Sequence, residues 1–114
     1  NFEEAEAYYR KTIIGWQELG HRPAVAHQIE CLAYITISRG QYKQAAILLG
    51  AAGAARKQLN ALSDDPQEIQ ELAEAMAKLA EAVGEDARDE AMARGSQLSL
   101  DEAVLLAVES ESSI

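Results

Sequence analysis

The sequence predicts an all-α fold of about six helices, and three observations carry the prediction. Alanine, the strongest helix former, is the commonest residue, and proline occurs only twice in 114 residues. Apolar residues recur at three- and four-residue steps, the spacing of one helix face. Nowhere does a β-branched run alternate with polar residues between turn dipeptides, as a half-buried strand would.

The first helix is expected over about residues 2–19, with Phe2, Ala5, Tyr9, Ile13 and Trp16 on one face. Gly20 can end it in the left-handed conformation open to glycine. Pro23 suits the first turn of a second helix, where its missing N–H forfeits no internal bond. That helix runs to about Ser38 and is apolar on most sides (Ile29, Leu32, Ala33, Tyr34, Ile35, Ile37), which suits the middle of a stack. Gly40 ends it. Tyr42, Ala45, Ala46, Leu49, Ala52 and Leu59 stripe a third helix reaching about Leu62. Gly50 and Gly53 inside it each cost up to about 1 kcal/mol against alanine, a cost that close approach of a neighbouring helix backbone would offset. The rival reading, a phosphate-binding glycine loop, lacks both the Lys-Ser or Lys-Thr that should follow and the strand that should precede.

Asp65 as N-cap, Pro66 at the first position and Glu68 three after the cap open a fourth helix. Ile69, Leu72, Met76, Leu79 and Val83 alternate three- and four-residue steps along it, a narrow seam for one partner helix. Gly84 stops it. A fifth helix over about residues 85–94 offers Ala87, Ala91 and Met92 to a core, and Gly95 closes it. Ser99 and Glu102 form a capping box for a sixth, with Leu98 stapled to Ala103 and Leu100, Val104, Ala107 and Val108 facing inward. The tail from Glu109 to Ile114 is expected to fray.

Charge and aromatics divide the chain. The net charge is −9, yet residues 1–62 hold five acids and seven bases, while residues 63–114 hold fourteen acids and three bases. All six aromatics (Phe2, Tyr8, Tyr9, Trp16, Tyr34, Tyr42) precede position 43. The change falls at the turn signal Ser63-Asp64-Asp65-Pro66. In so short a chain this reads as a regular array (1–62) giving way to an acidic helical cap (63–114) of the same domain. The net negative charge and the missing basic patch argue against a nucleic-acid surface. No apolar run approaches the roughly 20 residues of a bilayer span, and a single cysteine implies no oxidising compartment. A cytoplasmic protein with no membrane contact is expected.

A repeat crosses the first half. Asn1-Phe2-Glu3-Glu4-Ala5 with Tyr9 matches Gln41-Tyr42-Lys43-Gln44-Ala45 with Leu49 after 40 residues, as polar, aromatic, two polar, Ala, then a large residue. Fixed-period recurrence marks stacked helical arrays. The segment resembles tetratricopeptide repeats: Gly40 matches the turn glycine, Tyr42 the aromatic opening the second helix, and Ala45, Leu49 and Ala52 the positions that follow. Leu32 and Ala33 fall on the Leu-Gly pair of the repeat's first helix, and Ile29 where tryptophan is common. The 40-residue spacing exceeds the usual one of about 34 and resembles the longer repeats of MalT-like, LuxR-type transcriptional activators and large bacterial signal-transduction ATPases. Ala45-Ala46-Ile47-Leu48-Leu49-Gly50-Ala51-Ala52 with Arg56, and the stretch from Ala93 to Val104, resemble the helices that end such arrays. Arg88 and Met92 stand where that family's fifth helix often carries aromatics. The resemblance implies a right-handed helical-hairpin solenoid fragment that begins inside a repeat and is cut from a longer chain.

Chemistry is sparse. His27 and Cys31 lie four apart on one helix, but two ligands are too few for a metal, and His21 lies across a proline turn. As nucleophile and base they lack a third, orienting group. Paired carboxylates at Asp64-Asp65, Glu85-Asp86 and Asp89-Glu90 sit at helix starts, where they complement the dipole, and no calcium-loop pattern surrounds them. No enzyme, cofactor or metal is expected. The resemblance implies binding instead: a partner groove lined by His27, Glu30, Tyr34, Ile37 and Ser38, suited to an apolar or basic segment. It lacks the Lys and Asn of the tetratricopeptide carboxylate clamp. The truncated first helix should expose Phe2, Tyr9, Ile13 or Trp16, where missing upstream repeats or a second copy would pack as a homodimer. The expected role is a protein-interaction scaffold, the sensor region of a bacterial transcriptional regulator or signalling ATPase. The alternative is a free-standing helical adaptor whose acidic C-terminal face meets a basic partner.

Overall fold

Three helices of 17 residues open the chain: α1 (Phe2–Glu18), α2 (Arg22–Ser38) and α3 (Tyr42–Gln58), starting at steps of 20 residues. They are followed by α4 (Pro66–Val83), α5 (Glu85–Ser96) and α6 (Leu100–Glu109) in a computed structural model that describes residues 1–109. The chain is all-α, with no strand among the described residues. The tail beyond residue 109, expected to fray, lies outside them.

The first three helices end in the same way. After α1, Gly20 N–H donates to the Gln17 carbonyl and His21 N–H to that of Trp16; after α2, Gly40 and Gln41 repeat the pattern onto Ile37 and Thr36. Asn60 and Ala61 repeat it onto Lys57 and Arg56 after α3. These paired bonds satisfy the last helix carbonyls and require a left-handed residue. Gly20 (φ 72°), Gly40 (φ 82°) and Asn60 (φ 55°) supply it. The third turn corrects the expected end of α3 from Leu62 to Gln58. Asparagine tolerates that conformation through its short polar side chain.

Short turns make α1, α2 and α3 successive neighbours, and α3 becomes the centre of the fold. It packs against α2, α4, α5 and α6, which explains its alanines: Ala45, Ala46, Ala51, Ala52 and Ala55 are buried beside Leu48 and Leu49. Its most extensive contact is with α5, and glycine makes it possible. A Cβ on Gly50 would overlap the Met92 backbone, and one on Gly95 would overlap the Ile47 carbonyl. Two helix backbones therefore touch at two reciprocal points. Gly95, expected to close the fifth helix, lies inside it and serves this crossing. Gly53 meets nothing within 4 Å, so close packing accounts for Gly50 and not for Gly53.

The remaining helices attach differently. The capping box before α6 forms as expected: Ser99 N–H donates to Glu102 Oε1 at 2.8 Å and Glu102 N–H to Ser99 Oγ at 3.1 Å. Leu100, Ala103, Val104 and Ala107 then pack on α1, α2 and α3. Asp65 caps α4 by accepting from Gln67 N–H at 2.9 Å, but Glu68 turns away to Arg56, leaving that box half-formed. The α4 seam is only half used. Leu79 and Ala75 are buried, while Ile69, Leu72 and Val83 stay exposed. Ala87, expected in the core, is exposed as well.

Candidate functional site

The five residues expected to line a groove do share one face of α2, and α4 of the same chain lies along it. Their local order follows from the start of α2, where His21 Nδ1 accepts from Ala24 N–H at 3.2 Å and Pro23 occupies the first turn. From there, His27, Glu30, Tyr34 and Ile37 recur at three- and four-residue steps. Glu30 is buried yet fully engaged. Arg56 from α3 donates one nitrogen to both its oxygens at 3.2 Å, and the Tyr34 hydroxyl donates to Oε1 at 3.1 Å. Arg56 also reaches Glu68 of α4 at 3.6 Å and donates through Nε to the Ala61 carbonyl at 3.0 Å. A buried ion pair is tolerable when its remaining donors and acceptors are satisfied. No buried side-chain polar atom is left without a partner among the described residues.

Where this network ends, a cleft begins. Tyr34, Ile37 and Ser38 face Glu71, Glu74, Ala75 and Lys78 across about 160 Å³. It continues over Tyr42, Glu81 and Ala82 into a more open space of about 450 Å³. Glu30, expected at the groove, is withdrawn into the Arg56 pair, so the acidic wall comes from Glu71, Glu74 and Glu81 of α4. The field of that wall reaches three groups. Burial first, then the charge and hydrogen bond of Glu30, with Glu71 contributing, raise the Tyr34 hydroxyl above its ordinary range. Burial and neighbouring Cys31, Tyr8 and Glu71 raise that of Tyr9. Burial, reinforced by Glu30, Glu71 and Glu68 against Arg56, pushes the Cys31 thiol up to about 11.

Cys31 Sγ lies 3.8 Å from His27 Nε2, the expected pair. A thiol raised in this way is protonated at neutral pH, the opposite of what an activated nucleophile needs. His27, Glu30 and Glu68 offer ligand atoms within 4.8 Å of one another. The Arg56 guanidinium already neutralises both carboxylates, so a metal would have to displace it. Of the carboxylate pairs expected at helix starts, Asp65 caps α4 and Glu85 and Asp86 fall in the first turn of α5, whereas Asp89 and Glu90 lie beyond that turn, inside α5, where Asp89 holds Arg88 at 2.9 Å.

A second polar node escaped the sequence reading. Glu6 and Arg10 occupy the buried face of α1 beside Ile13 and pair at 3.9 Å. Arg39, just after α2, bonds Glu6, and Arg10 Nε donates to the Ala107 carbonyl of α6 at 3.1 Å. The i, i+4 spacing of opposite charges three residues before a core isoleucine was the available signal. The four residues expected at an uncovered end separate accordingly. Ile13 is fully buried in the core, and Tyr9 is half-buried. Phe2 (49 %) and Trp16 (37 %) are exposed, together with Tyr8 and Leu19, which the sequence reading had not chosen.

Among the described residues no helix is long and apolar enough to cross a membrane. Comparison with protein-family models, with characterised proteins and with solved structures finds no match to this chain.

Proposed function

We propose that the chain is a non-catalytic protein-interaction module, the C-terminal helical-repeat region of a bacterial transcriptional regulator or signalling ATPase. The observation that carries this reading is the outer face of α1. Phe2, Tyr8, Trp16 and Leu19 stay exposed there, and Gly15, interior to the helix, meets nothing within 4 Å. Elsewhere in this chain, interior glycines Gly50 and Gly95 are points of backbone contact with another helix. An open glycine amid aromatics suits a further helix stacked on α1, as α2 stacks on its other side. The 20-residue step of α1, α2 and α3 and their shared turns support the tetratricopeptide-like reading. The test is Trp16 emission on addition of the residues encoded upstream, with light scattering for mass. A blue shift on addition, lost in Gly15→Leu, is expected; emission unchanged on addition would overturn the reading.

A second reading, an adaptor for a basic partner, is favoured by the acidic wall of the α2–α4 cleft. Because Glu68 is tied to Arg56 and His27, the residues to neutralise are Glu71 and Glu74. Salt-sensitive binding of a lysine-containing peptide, lost in Glu71→Gln/Glu74→Gln, is its expected signature.

A further inference from the structure

We propose that His27 and Cys31 of α2, with Glu68 of α4, form a binding site for a zinc ion that ties the two helices together. His27 and Cys31 are four residues apart, so their side chains stand one turn apart on one face of α2. In the sequence this pair was too small a set to hold a metal. The fold lays α4 beside it and supplies a third donor. The site centres on one atom: His27 Nε2 lies 3.8 Å from Cys31 Sγ and 3.7 Å from Glu68 Oε1. In a tetrahedral zinc site the bond lengths put neighbouring nitrogen and sulfur about 3.6 Å apart, and nitrogen and oxygen about 3.4 Å apart. Both edges that meet at His27 are within a few tenths of an ångström of that geometry. The remaining edge, between Cys31 and Glu68, closes by rotation of Glu68. Its side chain is 33 % exposed, and its contacts with Arg56 and His27, at 3.6 and 3.7 Å, are longer than hydrogen bonds.

Arg56 keeps its place when the ion enters. It donates to both Glu30 oxygens at 3.2 Å and through Nε to the Ala61 carbonyl at 3.0 Å, but reaches Glu68 only at 3.6 Å. The ion displaces that longer contact and leaves the Glu30 pair intact. Glu30 is therefore a neighbour of the site and not a ligand, although it offers an oxygen within 4.8 Å of the His27 and Glu68 donors.

Charge and donor chemistry select the ion. Glu30, Glu68 and Glu71 act on Cys31 against the single guanidinium of Arg56, an excess of negative charge that a divalent cation offsets. The thiol gives its proton to solvent as the zinc–sulfur bond forms, so binding releases about one proton per ion. Thiolate, imidazole and carboxylate are the usual donors to zinc, whereas calcium and magnesium take oxygen alone. The His27 side chain is 38 % exposed, so an ion has a path in and water can fill the fourth position. The bond falls at the start of α4, three residues after its cap, on a helix otherwise held by Ala75, Leu79 and the Glu68–Arg56 contact.

The test titrates the reduced 114-residue protein with cobalt(II), a spectroscopic stand-in for zinc, and then with zinc itself. Cobalt should bind with one-to-one stoichiometry, giving the visible bands of a tetrahedral site and a thiolate-to-cobalt charge-transfer band, all removed by zinc. Cys31→Ser should abolish the charge-transfer band. His27→Gln and Glu68→Gln should each weaken binding at least about tenfold, while Glu74→Gln in the neighbouring cleft leaves it unchanged. Circular dichroism of each variant confirms that the helices are retained. Zinc should also slow amide exchange of α4 in the parent protein and have no such effect in Cys31→Ser. Absence of the charge-transfer band at millimolar cobalt would overturn the proposal. So would a band that persists in Cys31→Ser, or an affinity unchanged by Glu68→Gln, which would leave α4 outside the site.

Discussion

The contacts that α5 and α4 make with the first three helices show two ways of attaching one helix to another. α5 meets α3 backbone to backbone, through Gly50 and Gly95, with no side chain between them at the crossing. α4 rests on α2 and α3 through two buried side chains, Ala75 and Leu79, and through the Glu68–Arg56 pair. The first contact admits one geometry, because an added methyl has nowhere to go. The second leaves clefts on both sides and half of an apolar seam in solvent. In this protein the tight contact holds the fold, and the loose one shapes the surfaces available to partners.

Breaking the tight contact should cost most. Gly50→Ala pushes a methyl into the Met92 carbonyl and is expected to lose about 3 kcal/mol in urea unfolding, the upper range for overpacking. Leu79→Ala, the corresponding change in the loose contact, should cost about 2 kcal/mol, the low end for a buried leucine, because α4 can settle inward.

These two expectations also mark how far the sequence could be read. Helix positions and the Gly20 and Gly40 turns were legible, because periodicity and left-handed glycine are local properties. Asn60 performs the same turn without a glycine and was passed over. Gly50 and Gly53 look alike in sequence, since only the position of α5 distinguishes a crossing point from an open floor. Likewise, the shared face of His27, Glu30, Tyr34, Ile37 and Ser38 followed from spacing within one helix. That α4 lies opposite, and that Arg56 withdraws Glu30 from the groove, depends on contacts between residues far apart in the chain.

A smaller effect probes the α2–α4 side through pH. The folded state raises the Cys31 thiol from its ordinary value of 9.0 to about 11, so it favours the protonated form. Its contribution is therefore complete below pH 9 and is lost as pH rises toward 11. Stability measured by urea unfolding should fall across that window, and Cys31→Ala should flatten the fall. The smallest change has the opposite sign. Gly53→Ala, where a methyl meets nothing, should stabilise the chain by about 0.5–1 kcal/mol in the same assay.

Native-state hydrogen exchange tests the contrast between the two attachments most directly. Amides of α3 and α5 should exchange only through global unfolding, with the same free energy and the same urea dependence. Those of α4 (Pro66–Val83) should exchange through a cheaper, separate opening that leaves α5 protected. Protection of α4 equal to that of α5, at every urea concentration, would contradict the account.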